Sequence, residues 1–305
     1  MADSRPIGVF DSGVGGLTVL REILRRSPAE STLYIGDNAR APYGTRSDEE
    51  VLRFSTQALD VLAGRDVKAI VVACNTSTAV GLVEFRRRFE VPILGVIRPG
   101  ASAAALATRS RRVGVIATPA TVRSHAYFGA IKDENPAIEV YEHEPPALVP
   151  LVESGLLAGP EVDAAVADAL APLLGARDAA GEFIFPLPPS ARIDTLLLGC
   201  THYPLIRAAI AAAAGERVAI VDSATATASA LVELLSINGL EAPGTTRGTA
   251  ADAGHIGHDR PVGDVVTPTH RQLTTGDVAA FRDLANRLFG DAFPDVEGIE
   301  LGVAE

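Results

Sequence analysis

Short apolar runs recur along this chain, and each stops at small or hydrogen-bonding residues. They include Ile7-Gly8-Val9-Phe10, Thr32-Leu33-Tyr34-Ile35, Ala69-Ile70-Val71-Val72, Val91-Pro92-Ile93-Leu94-Gly95-Val96 and Arg112-Val113-Gly114-Val115-Ile116-Ala117. Ile138-Glu139-Val140-Tyr141, Thr195-Leu196-Leu197-Leu198 and Arg217-Val218-Ala219-Ile220-Val221-Asp222 continue the series. Most have the length and unbroken apolar character of strands buried on both faces. Stretches of helical periodicity lie between them. Leu17, Leu20, Ile23 and Leu24 share one face of the first, and Val51, Phe54, Ala58 and Leu62 share one face over 48–62, with Ser47 as its cap. Further helices are expected over 148–157, 160–174, 205–214, 224–235 and 278–289. This alternation restricts the chain to an α/β architecture of mainly parallel sheets covered by helices. Such sheets bind ligands at the carboxyl ends of their strands. Asp11, Ser12, Asp37, Cys74, Asn75, Thr118, Cys200, Thr201, His202, Asp222 and Ser223 all fall at or just after such ends.

Two of these ends are near-copies. Ala69-Ile70-Val71-Val72-Ala73-Cys74-Asn75-Thr76 and Thr195-Leu196-Leu197-Leu198-Gly199-Cys200-Thr201-His202 each run from an apolar strand through a small residue to a cysteine. The chain has only these two cysteines. One cysteine alone reads as a small buried hydrophobe. Two in matching contexts read as a pair facing one another across a cleft. Each is expected at the start of a helix, where the field favours a thiolate. A thiolate on one side of a carbon and a thiol on the other suit stereoinversion: one removes a proton and the other delivers one. Asp11, Ser12 and His202 are placed to orient or polarise the thiols. Asn75, Thr76, Thr78 and Thr201, with helix N–H groups, offer a cradle for a carboxylate, although each taken singly reads as a helix cap.

Composition removes competing classes. The net charge of −11 disfavours nucleic acid as a main partner. No apolar run approaches the roughly 20 residues of a membrane span, and the N-terminus shows no signal-peptide core, so a cytoplasmic protein is expected. A disulfide is not expected in that compartment, and two cysteines cannot form a four-thiolate zinc site. Gly13-Val14-Gly15-Gly16-Leu17-Thr18 resembles a dinucleotide loop but has Thr18 in place of the third glycine, which leaves a nicotinamide-dependent oxidoreductase as a weaker alternative. The segment 244–263 reads as a surface loop. Its His255 and His258, near Asp252 and Asp259, have no third ligand fixed by spacing, so no metal is expected there.

Taken together, the motifs resemble those of glutamate racemase, within the aspartate/glutamate racemase family. The matching segments are Phe10-Asp11-Ser12-Gly13-Val14-Gly15-Gly16-Leu17-Thr18, Tyr34-Ile35-Gly36-Asp37-Asn38-Ala39-Arg40-Ala41-Pro42-Tyr43-Gly44 and Ala73-Cys74-Asn75-Thr76-Ser77-Thr78-Ala79. Leu198-Gly199-Cys200-Thr201-His202-Tyr203-Pro204-Leu205, Val149-Pro150-Leu151-Val152-Glu153 and Val221-Asp222-Ser223-Ala224 complete them, and the likeness spans nearly the whole chain. The resemblance implies cofactor-independent interconversion of L- and D-glutamate, supplying D-glutamate for peptidoglycan. It implies that Cys74 acts on the α-proton of D-glutamate, assisted by Asp11. Cys200 would act on that of L-glutamate, assisted by His202 and Glu153. Ser12, Pro42, Tyr43, Gly44, Asn75, Thr76, Thr118, Thr121 and Thr201, with Asp11 and His202, would line the substrate. Two α/β domains are implied, residues 1–97 with 210–305 and residues 98–209, with the active site in the cleft between them and a homodimer as the assembly. The stretches near 183–190 and 244–263 are longer than the family pattern leads one to expect, and bear on oligomer contacts and regulation. An aspartate racemase of the same family and a non-catalytic amino-acid binder, such as a modulator of DNA gyrase, are the alternatives.

Overall fold

The apolar runs form strands and the periodic stretches form helices in the computed structural model, which describes residues 2–177, 183–184, 192–243 and 267–301. The chain opens with β1 (Ile7–Asp11), α1 (Leu17–Arg26), β2 (Thr32–Gly36), α2 (Asp48–Ala63), β3 (Ala69–Val72), α3 (Asn75–Arg88) and β4 (Ile93–Gly95). Next come α4 (Ile97–Ala107), β5 (Arg112–Ala117), α5 (Pro119–Arg123), α6 (Ala126–Glu134), β6 (Glu139–His143), α7 (Leu148–Glu153) and α8 (Pro160–Leu174). A small antiparallel pair, β7 (Ala176–Arg177) and β8 (Phe183–Ile184), precedes β9 (Thr195–Gly199), α9 (Arg207–Ala214), β10 (Ala219–Asp222) and α10 (Ser223–Asn238). The described chain closes with β11 (His270–Thr274), α11 (Val278–Phe289) and β12 (Val296–Gly298).

Two parallel sheets result, ordered β12-β11-β2-β1-β3-β4 and β10-β9-β5-β6. Every residue of β1, β2, β3 and β9 is buried, as continuous apolar strands require. In the first sheet Asp11 pairs with Gly36, and Phe10 with Val72. In the second, Ala117 pairs with Gly199. These registers bring the strand ends of each sheet to one edge, and hence Ser12 and Cys74 to one rim and Thr118 and Cys200 to the other. Helix α1 buries Leu17, Val19, Leu20 and Ile23, each worth roughly 1.5–3 kcal/mol. At the start of α2 the expected cap forms a full capping box: Ser47 accepts from the Glu50 amide and Glu50 accepts from the Ser47 amide, both at 3.3 Å.

Four features depart from the sequence expectations. Strand β11 takes a central place between β12 and β2, although His270, Arg271 and Gln272 gave no strand signal. The helix expected over 148–157 ends at Glu153, where Gly155 turns the chain with φ +87°. The expected return to the first domain near 210 falls before β10, whereas the pairing of Ala219–Asp222 with β9 keeps the chain in the second sheet through Asp222. Cys200 is followed by a 3-10 turn, Tyr203–Ile206, with Pro204 in its first turn, and α9 starts only at Arg207. Residues 185–190 and 244–263, with His255 and His258, lie outside the described residues. Among those described, no helix is long and apolar enough to cross a membrane.

Candidate active site

Cys74 caps α3. Its Sγ accepts from the Ser77 amide at 3.4 Å and lies 3.6 Å from the Ser12 hydroxyl. Burial pushes this thiol up to about 11, with the Asp11 carboxylate pushing the same way and the Ser77 and Ser12 contacts opposing. The helix start therefore does not produce the depressed thiol pKa that its position suggested. Desolvation of a residue only 5% exposed outweighs the Ser77 and Ser12 contacts that favour the thiolate.

Cys200 has no α-helix behind it and a different partner in front. His202 Nδ1 lies 3.6 Å from its Sγ, and His202 Nε2 lies 3.1 Å from Glu153 Oε1. Burial works against a charged imidazole, but the contacts with Cys200 and Glu153 more than offset it and push His202 up to about 10. The ring therefore carries its positive charge at neutral pH.

Asp11 stands behind the cleft rather than in its wall. It is buried, its Oδ2 accepts from the Gly13 amide at 3.0 Å, and its Oδ1 has no partner. Burial pushes its carboxyl up to about 6, while the His202 charge and the Gly16 and Gly13 amides pull the other way. The glycines of the loop 13–16 let the backbone come this close. A Cβ on Gly16 would meet Asp11 Cβ at 2.4 Å, and one on Gly15 would meet Thr201 Oγ1 at 2.4 Å. The loop is thus filled by the protein's own side chains, and the dinucleotide alternative fails on space.

Between the two rims lies a cleft of about 420 Å³, open solvent included. Both cysteines line it, as do Ser12, Pro42, Tyr43 and Gly44 from the first half, with Asn75 and Thr76 at the head of α3. Thr118, Glu153, Thr201 and His202 line it as well, whereas Asp11 and Thr121, also expected there, do not. Thr121 sits one layer deeper. Its hydroxyl is 3.0 Å from that of Thr118, which is in turn 2.9 Å from that of Thr76, so three threonines chain the two halves together. The opposite tie runs from Thr18 Oγ1 to the Thr201 carbonyl at 3.0 Å. Each cysteine loop is therefore held by the other half of the molecule.

Several strand-end residues do other work. Thr78 spends its hydroxyl on the Val72 carbonyl at 2.9 Å, outside the cleft. Asp37 accepts from Tyr43, Arg40 and Thr275, which holds Tyr43 against the cleft without reaching it. Asp222 caps α10 through the Thr225 amide, and Ser223 is not among the lining residues. Conversely, Gly13, Ala41 and Val149 line the cleft although their sequence positions pointed none of them there. They carry no polar atom on the side chain, so only the tertiary structure singles them out.

Comparison with known proteins gives this arrangement its family. The sequence model of the Asp/Glu/hydantoin racemase family matches residues 7–231. A glutamate racemase of Geobacter metallireducens is 42% identical over 297 residues, covering 97% of each chain. A solved glutamate racemase isoform of Bacillus anthracis superposes with a TM-score of 0.82 at 39% identity, covering 98% of each chain. The glutamate racemase of Francisella tularensis, in complex with D-glutamate, superposes with a TM-score of 0.79 at 32% identity, again covering 98% of each. The chain belongs to the Asp/Glu/hydantoin racemase family and, within it, to the glutamate racemases.

Proposed function

We propose that this protein interconverts L- and D-glutamate by a two-thiol mechanism that needs no cofactor. One observation carries the reading: two buried thiols, at matching strand ends of separate sheets, line one cleft. In the L-to-D direction, the Cys200 thiolate takes the α-proton of L-glutamate. The C–H pair is left on the α-carbon, and the Cys74 thiol supplies a proton to the opposite face. The cysteines finish with exchanged protonation states, and the reverse reaction resets them. Cys74 is suited to its part because it rests as a thiol. His202 holds a positive charge beside Cys200, oriented by Glu153, and Asp11 assists at the Cys74 end. Ser12, Asn75, Thr76 and Thr201 supply neutral donors for the substrate carboxylates, and the hydroxyl oxygens among them neutral acceptors for its ammonium group, with Pro42, Tyr43, Gly44, Thr118 and the more deeply placed Thr121 shaping the pocket.

The product would serve peptidoglycan synthesis. We further propose a cytoplasmic homodimer whose two α/β domains meet at the cleft, with residues 1–97 and the C-terminal part in the first. Buried, unpaired thiols suit a reducing compartment. Aspartate is the natural competitor. It is one methylene shorter, which a pocket discriminates by about 1–3 kcal/mol.

The deciding experiment is proton NMR of the purified protein with L-glutamate in D₂O, without added cofactor, alongside a chirality assay. Loss of the α-proton signal with appearance of D-glutamate is expected. Inversion of aspartate alone would sink the glutamate assignment, and exchange without inversion would sink the two-thiol mechanism.

A further inference from the structure

Tyr127 belongs to neither rim of the cleft, yet it touches both cysteine loops. It lies in the first turn of α6 and is fully buried among Ile97, Ala101, Val113, Val115 and Leu197. His125, just before it, takes a left-handed conformation at φ +50° and reorients the chain between α5 and α6. From this place the Tyr127 hydroxyl donates to Asn75 Oδ1 at 2.6 Å, reaching from the second half to the residue after Cys74. Its ring lies against the residue before Cys200, since a Cβ on Gly199 would come within 2.8 Å of Tyr127 Cε2.

We infer that Tyr127 is a positioning residue for the racemisation: it spans the two cysteine loops and turns the Asn75 amide so that its NH₂ group faces the substrate. An asparagine amide has an acceptor on one side and donors on the other. With the oxygen engaged by Tyr127, the nitrogen must face away from it. Asn75 Nδ2 is buried and has no protein partner, and Asn75 lines the cleft. A buried donor without a partner is costly, and an oxygen of the substrate carboxylate removes that cost. Burial pushes the Tyr127 phenol well up, so it stays a donor at every working pH. A phenylalanine would fill the apolar site around the ring equally well. The hydroxyl adds the bond to Asn75, with Ser223 also beside it.

The inference rests on the proposed glutamate racemisation, and the test separates the two. In the full-length protein, Tyr127→Phe is expected to raise KM for both L- and D-glutamate about tenfold while kcat changes less than about twofold, the signature of lost uniform binding. Asn75→Ala, which leaves the ring in place, is expected to raise KM at least as much. In the Asn75→Ala background, Tyr127→Phe is expected to change KM by less than about twofold, because the two act as one unit. An unchanged KM in either single variant, or a full additional tenfold in the double variant, overturns the assignment. Native protein that inverts glutamate alongside such results loses only this inference. Native protein that fails to invert glutamate overturns the proposed function and this inference with it.

Discussion

Around Cys74 the groups within reach of the sulfur are a serine hydroxyl and a backbone amide; around Cys200 stands an imidazolium backed by a carboxylate. Both loops descend from the same sequence pattern, an apolar strand that ends in a small residue and a cysteine. Their surroundings diverge because the chain leaves the two cysteines by different routes. After Cys74 it enters α3 at once, so the sulfur is buried as a cap and its thiol pKa rises. After Cys200 it turns through His202 and Pro204, which delays α9 and places an ionisable ring beside the sulfur. Helix position and charge partner are thus alternatives here. The two ends are unlike at rest, one thiol pushed up by burial and the other facing the His202 charge.

The largest test of that comparison is removal of each sulfur in turn. Cys74→Ser and Cys200→Ser are each expected to lower inversion in both directions by about a thousandfold, the middle of the range for positioned acid–base groups. The ends should then separate in D₂O. Cys74→Ser keeps Cys200 and should still exchange the α-proton of L-glutamate, whereas Cys200→Ser should still exchange that of D-glutamate. Both exchanges surviving in one variant would break the assignment of one thiol to each face. Isotope exchange is the right readout because the two enantiomers have equal free energy, so kcat/KM must stay equal in the two directions for any variant.

The unlikeness of the two ends was only partly legible in the sequence. The βα alternation and the clustering of polar residues at strand ends followed from periodicity alone, because continuous apolar runs have few other uses in a chain of this size. The position of both cysteines followed from the same pattern. Their environments did not, because burial depends on residues far away in the chain: Thr201 and His202 pack on Gly15, and Asp11 on Gly16. Strand β11 escaped notice because Gln272 and Thr274 are buried in spite of their polarity. Nothing in the sequence singles out Tyr127, since the partner of its hydroxyl lies 52 residues earlier.

Asp11 offers a test of intermediate size, at the Cys74 end. Its folded pKa of about 6 lies above the ordinary 3.8, so between those values the native protein holds more protons than the unfolded chain. Stability must then fall as pH rises from about 4 to about 6, and stay lowered above. Asp11→Asn removes that penalty. The variant is expected to be more stable than the native protein by up to about 3 kcal/mol above pH 6, converging with it below pH 4. Denaturant melts at pH 4 and pH 8 check this. Activity is expected to fall about a hundredfold. A stability difference between variant and native protein that is the same at both pH values would mean that the carboxyl is not held raised, and the burden on the Cys74 end would rest on desolvation of the thiol alone.

The smallest effect is expected at the other end, where Glu153 is partly exposed and touches His202 at 3.1 Å. Glu153→Gln keeps an oxygen for the ring N–H but removes the charge. His202 is held up to about 10 by Cys200 and Glu153 together, so without the carboxylate it should lose its proton at a lower pH. The alkaline limb of the kcat/KM profile should therefore move to lower pH, while activity at pH 7 falls only about threefold because the ring is still charged there. Because Glu153 supports only the Cys200 end, the primary isotope effect with α-deuterated L-glutamate should grow more than that with α-deuterated D-glutamate. An unmoved alkaline limb would show that the charge on His202 is held by Cys200 without help. A change shared equally by the two isotope effects would show that the ends are coupled more tightly than the separate partners of Cys74 and Cys200 imply.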